Sequence, residues 1–143
     1  MLTDDVAIWA LTERVIGCGM EVHKALGPGL LESVYRECLV AELDANQLSL
    51  ESERYVPIDY KGRRIRGSLK LDLLVEESIV VELKAVESLH PIHMAQVITY
   101  LKLTGRPAGL LMNFNVTSLK FGLKRVDHPG RYQKKHVIEA PRK

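Results

Sequence analysis

Residues 69–86, Leu-Lys-Leu-Asp-Leu-Leu-Val-Glu-Glu-Ser-Ile-Val-Val-Glu-Leu-Lys-Ala-Val, constrain the fold of this chain more than any other stretch. Two apolar runs flank a Glu-Glu-Ser turn, which predicts a buried hairpin with strands at Arg64 to Val75 and Ile79 to Val86. Asp72 interrupts the first run, and Glu82 and Lys84 interrupt the second. Side chains alternate along a strand, so Glu82 and Lys84 share one face while Val81, Leu83 and Ala85 share the other. Burying an unpaired charge costs several kcal/mol, so these groups need one another, a metal ion or access to a cleft. Two carboxylates and an ammonium gathered this way suit a Mg²⁺ site with a cation beside a reacting phosphate, a pattern that points to phosphodiester cleavage. The alternative is a cross-strand salt bridge, which contributes little where exposed.

The rest of the chain predicts a single mixed α/β domain. Ile8, Leu11, Val15, Cys18, Val22 and Ala25 form an apolar stripe on a helix from about Asp4 to Leu26, ended by Gly27-Pro28-Gly29. A second helix spans about Leu30 to Asn46, with Leu31, Val34, Cys38, Ala41 and Ala45 expected on its buried face. Tyr55 to Tyr60 reads as a strand, with Pro57 marking an edge or bulge. Pro91 opens a third helix through Leu103, closed by Gly105 and Pro107. Ala108 to Phe114 and the alternation Leu119, Phe121, Leu123 supply two further strands. The order helix-helix-β-β-β-α-β-β implies a mixed sheet, because the third helix must carry the chain across to a parallel strand.

At 143 residues the chain suits one core. Its apolar runs fall far short of the ~18 residues that cross a bilayer, and Met1-Leu-Thr-Asp-Asp has no secretory character, so a cytoplasmic location without membrane contact is expected. Cys18 and Cys38 sit at apolar helix positions and are expected as free thiols. The net charge of +2 is only weakly basic. Basic groups are nevertheless concentrated in two places. Lys61, Arg63, Arg64, Arg66 and Lys70 crowd one hairpin, and Arg131, Lys134, Lys135, Arg142 and Lys143 enrich a tail from Asp127. Each is either a phosphate-binding surface or a solvated segment.

On the third helix His93, Gln96, Tyr100 and Leu103 form a stripe beside Met94, Val97, Ile98 and Leu101. Gln96 and Tyr100 lie one turn apart. Gln96 can orient a water or contact a phosphate, and Tyr100 can stack on a base or donate to a phosphate. His93 is expected to be structural or solvent-facing. Glu32, at a helix start, is accounted for on its own by the helix dipole.

Gly29-Leu-Leu-Glu32-Ser-Val-Tyr35 reproduces the pattern G-x-x-E-x-x-Y, following Glu21-Val-His-Lys-Ala-Leu-Gly-Pro. With Val81-Glu-Leu-Lys-Ala, Ala95-Gln-Val-Ile-Thr-Tyr-Leu-Lys-Leu-Thr-Gly and Leu110-Leu-Met-Asn-Phe-Asn-Val, the chain resembles the GxxExxY protein family, placed in the PD-(D/E)xK nuclease superfamily near the RecB-like enzymes. The likeness covers about residues 5 to 126 and leaves residues 127–143 as a basic tail. It implies a restriction-endonuclease-like core, α-β-β-β-α-β. It maps Asp72 and Glu82 to metal-binding carboxylates, Lys84 to the active-site lysine, Gln96 and Tyr100 to a Q-x3-Y element, and Glu32 to an acidic group that completes the site. Leu71 stands where the superfamily name places proline.

The expected function is therefore a Mg²⁺- or Mn²⁺-dependent nuclease hydrolysing DNA. Asp72, Glu82 and the Leu83 carbonyl would hold the metal, and Glu32 would act through water. Lys84 would serve the transition state, Gln96 and Tyr100 would orient substrate, and Arg63, Arg64, Arg66 and Lys70 would grip nucleic acid. The alternative is a non-catalytic module on the same fold that binds nucleic acid or a protein partner. A homodimer is compatible with either.

Overall fold

The computed structural model describes residues 3–130. Helix α1 (Asp5–Leu26) starts at Asp4, whose carboxylate accepts the Val6 N–H at 2.9 Å, and stops where Gly27 takes φ 68°. Its stripe from Ile8 to Val22 is buried as expected, but Ala25 is exposed and His23 goes inside instead. Helix α2 (Glu32–Ala45) is rotated from its expected setting. It buries Tyr35, Leu39 and Leu43, while Leu31, Val34 and Ala41 face solvent. The large Tyr35 ring decides this rotation: it is fully buried and stacks on Phe114 with centroids 4.6 Å apart.

The strands are β1 (Leu50–Tyr60), β2 (Arg63–Val75), β3 (Ile79–Lys84), β4 (Ala108–Asn113) and β5 (Leu123–Asp127). They form one sheet in the order β1-β2-β3-β4-β5, antiparallel throughout except for the parallel pair β3–β4. Helix α3 (Pro91–Thr104) makes the expected crossover between that pair. Helices α1 and α2 cover one face of the sheet, through Leu73, Val75, Val81, Leu83 and Met112. Helix α3 covers the other, over Leu71, Leu74, Val80 and Leu111. β3 is consequently buried on both faces.

Three boundaries differ from expectation. β1 begins at Leu50, because Glu51, Ser52 and Arg54 of the polar run pair with β2 at the sheet edge, where charged side chains stay solvated. β3 ends at Lys84 rather than Val86, since Asn113 takes over there: its amide accepts the Val86 N–H at 3.0 Å and donates to the Val86 carbonyl at 2.9 Å. Leu119–Gly122 is a 3₁₀ turn rather than strand, and β5 follows it. That turn packs tightly, as a Cβ on Gly122 would collide with the Asn113 carbonyl. Of the basic tail, residues 131–143 lie outside the described part of the chain.

Strand alternation slips at one place in each of the first two strands. Leu71 and Leu74 both pack toward α3, whereas Leu73 and Val75 pack toward α1 and α2. On the partner strand Leu50 and Val56 likewise pack on opposite faces, with Glu53 between them at φ 56°. β2 keeps register with β3 only from Leu73 to Val75, so the strands part company at Asp72. Beyond that point β1 and β2 continue as a two-stranded arm that turns at Lys61-Gly62.

Candidate active site at the parting of two strands

Asp72 and Glu82 occupy the gap where β2 leaves β3. The Asp72 N–H donates to Glu82 Oε1 at 3.1 Å, and Asp72 Oδ2 accepts the Leu83 N–H at 2.8 Å. Carboxylates thus replace the ladder bonds that the splayed strands have lost. Both residues are buried, at 8% and 5% exposure. Burial lifts the Asp72 carboxyl above its ordinary value against the pull of the Leu83 N–H, Arg36 and Lys84. Glu82 is lifted further, to about 8, by burial and by the Asp72 charge.

Other elements converge on this pair. Lys84, half-buried at the end of β3, favours the ionised forms of Asp72, Glu82 and Glu32. Glu32 is the first residue of α2, and its carboxyl is raised by burial and by Asp72. From α3, Tyr100 is buried, and its hydroxyl is pushed up to about 12 by burial and the Glu82 and Asp72 charges. Gln96, one turn earlier, holds its Oε1 buried without a hydrogen-bond partner. Electrostatic interactions thus link Glu32, Asp72, Glu82, Lys84 and Tyr100 in one locality, and Gln96 lies one helical turn from Tyr100. His93 serves the helix start, accepting the His90 N–H at 3.1 Å, and burial and the Lys84 charge disfavour its protonated form. Arg63, Arg64, Arg66 and Lys70 lie on β2 along the arm, with Arg64 paired to Asp59 and Lys70 to Glu53.

Two residues of the locality had no sequence expectation. Arg36, one helical turn after Glu32, places its guanidinium 3.6 Å from Glu32, 3.8 Å from Glu53 and 3.8 Å from Asp72. Its spacing from Glu32 was a usable signal, since i and i+4 share a helix face. Glu53 reaches the site only through its left-handed backbone, which no local pattern announces.

The Gly29, Glu32 and Tyr35 of the sequence pattern separate into three duties. Gly29 turns the chain at φ 104°, and Glu32 faces the charged locality. Tyr35 pins the turn: its hydroxyl donates to the Gly27 carbonyl and accepts the Leu30 N–H at 3.2 Å.

Buried carboxylates held side by side, both raised above their ordinary values, form a donor set that a hard divalent cation would relieve. Among the described residues no three His, Cys, Asp or Glu side chains are grouped closely enough to form a ready metal cluster. No helix among the described residues is long and apolar enough to cross a membrane.

The crystal structure of SSO0001 is similar in fold, with a TM-score of 0.52 at 20% identity. The likeness covers 77% of this chain and 59% of that one, so the present chain spans little more than half of that protein's length. No protein of curated function matches the sequence. The family model described as the PD-(D/E)XK nuclease superfamily matches residues 9–126, which include the parted strands and every group gathered around them, and the chain belongs to that superfamily.

Proposed function

We propose that this protein is a metal-dependent nuclease that hydrolyses phosphodiester bonds of DNA, of the GxxExxY type and acting in the cytoplasm. The observation that carries the reading is the buried Asp72–Glu82 pair, oriented by each other's backbones and flanked by Lys84. Asp72, Glu82 and the Leu83 carbonyl would hold Mg²⁺ or Mn²⁺, with Glu32 reaching it through water. When bound, the cation supplies an acidified water and neutralises charge developing on the phosphate. Lys84 provides a fixed positive charge for the pentacovalent transition state. The unpartnered Gln96 Oε1 is an acceptor able to orient a water. Tyr100 stays protonated at any physiological pH and can donate to a phosphate oxygen. Arg63, Arg64, Arg66 and Lys70 would hold the nucleic-acid backbone along the arm.

One observation favours a second reading, a binding module without catalysis: Arg36 already offers Asp72 a counter-charge. Incubation with linear and circular DNA, single- and double-stranded, in Mn²⁺ separates the two. The nuclease reading expects cleavage that is lost on Lys84→Ala and in EDTA. Equal cleavage by wild type and Lys84→Ala marks a contaminant and removes the support for catalysis.

A further inference from the structure

The arm formed by residues 54–71 carries six basic side chains and one acidic one, whereas in the rest of residues 3–130 acidic side chains outnumber basic ones sixteen to nine. Positive charge is therefore segregated onto this two-stranded ribbon. The same ribbon holds both exposed tyrosines among the described residues, Tyr55 and Tyr60, at 61% and 59% exposure, while Tyr35 and Tyr100 are buried. Each exposed ring has an ammonium near it: Lys70 Nζ lies 5.8 Å from the Tyr55 centroid, and Lys61 Nζ lies 5.4 Å from that of Tyr60. Each ammonium sits over its ring, so a base stacks on the opposite face or displaces the lysine toward its own phosphate, which then gains a counter-charge. The arm is also continuous with the carboxylate pair, through Lys70 to Glu53 at 3.5 Å, Glu53 to Arg36 at 3.8 Å and Arg36 to Asp72 at 3.8 Å.

We propose that Tyr55 and Tyr60 are stacking platforms for unpaired bases, so that the arm takes single-stranded nucleic acid ahead of duplex. The proposal rests on the nuclease reading only in taking nucleic acid as the ligand. The bases of a duplex are already stacked on one another and offer these rings no face. A single strand leaves every base available, and base–aromatic stacking tolerates any sequence. The basic groups, by contrast, attract both forms through phosphate.

Fluorescence anisotropy of the full chain in EDTA, with a labelled oligothymidine and a duplex of equal length, tests this without catalysis. Tyr55→Ala and Tyr60→Ala should each weaken single-strand binding by roughly tenfold and leave duplex binding unchanged. Tyr→Phe at either position should restore it. Arg63→Ala should weaken both forms alike. If the alanine variants leave the single-strand to duplex ratio unchanged, or if wild type binds neither form, the rings are only well-suited strand residues and the proposal is overturned. Lys84-dependent cleavage with no single-strand preference sinks this inference alone. Tyrosine-dependent single-strand binding without cleavage sinks the nuclease reading alone.

Discussion

Asp72 and Glu82 are each bound to the other's strand: Glu82 Oε1 accepts the Asp72 N–H, and Asp72 Oδ2 accepts the N–H of Leu83, the residue after Glu82. Two side chains therefore do the work of a ladder rung while keeping two carboxyl groups close together in a buried place. This couples the stability of the sheet to the ionisation of the site.

The coupling has a sign. The Glu82 carboxyl is raised from 4.5 to about 8, chiefly by burial and then by Asp72. Between those values the folded protein keeps a proton that the unfolded chain has released, so stability is fullest below pH 4.5 as regards this group and falls as pH rises toward 8. The loss is on the order of a few kcal/mol. Denaturant melts in EDTA from pH 5 to 8.5 should show the decline, and Glu82→Gln should flatten it. A wild-type profile parallel to that of Glu82→Gln would refute the assignment.

Asp72→Asn and Asp72→Ala should part company. Asparagine keeps an oxygen for the Leu83 N–H and removes the charge, so its melting should stay close to wild type. Alanine strands that N–H in a buried position, at a cost of about 1–3 kcal/mol. Both should abolish saturable Mn²⁺ binding in isothermal titration. Retained binding in either variant would place the cation elsewhere.

Tyr35→Phe isolates the hydroxyl that pins the α1–α2 turn. The ring and its stacking on Phe114 survive, but the Gly27 carbonyl and Leu30 N–H lose their shared partner. The expected cost is about 1–2 kcal/mol by denaturant unfolding. Because the same turn delivers Glu32 to the site, cleavage should fall as well. A loss of stability with unchanged cleavage would show that Glu32 is not positioned by this turn.

Periodicity made the helices and the crossover legible, since α1 and α3 each carry an apolar stripe long enough to dominate their faces. It misled for α2, where small residues at Val34, Cys38 and Ala41 formed a regular pattern but one tyrosine outweighed them in burial. The Leu119–Leu123 stretch alternates like a strand yet closes into a 3₁₀ turn, because Gly122 must sit against the Asn113 backbone. Charges inside apolar runs pointed to Asp72, Glu82 and Lys84. Glu53 lay in a polar run with nothing to distinguish it. Its place depends on one left-handed residue and on a slip of alternation in two paired strands, which are consequences of tertiary packing.

Arg36 is the hub that makes those remaining charges tolerable. Its guanidinium stands within 4 Å of Glu32, Glu53 and Asp72, and its Nε is buried without a hydrogen bond. Such loose geometry gives Coulombic compensation more than directed bonding. Arg36→Met keeps much of the side-chain volume and removes the charge, leaving three carboxylates to repel one another. The variant should be destabilised by about 1–3 kcal/mol in EDTA, by analogy with losing one partner of a partly buried pair. Mn²⁺ should recover more stability for the variant than for wild type, because the cation then replaces the missing charge as well as binding its own ligands. Paired denaturant melts, each with and without Mn²⁺, measure that difference directly. An equal gain in both proteins would mean that Arg36 and the cation act on separate groups.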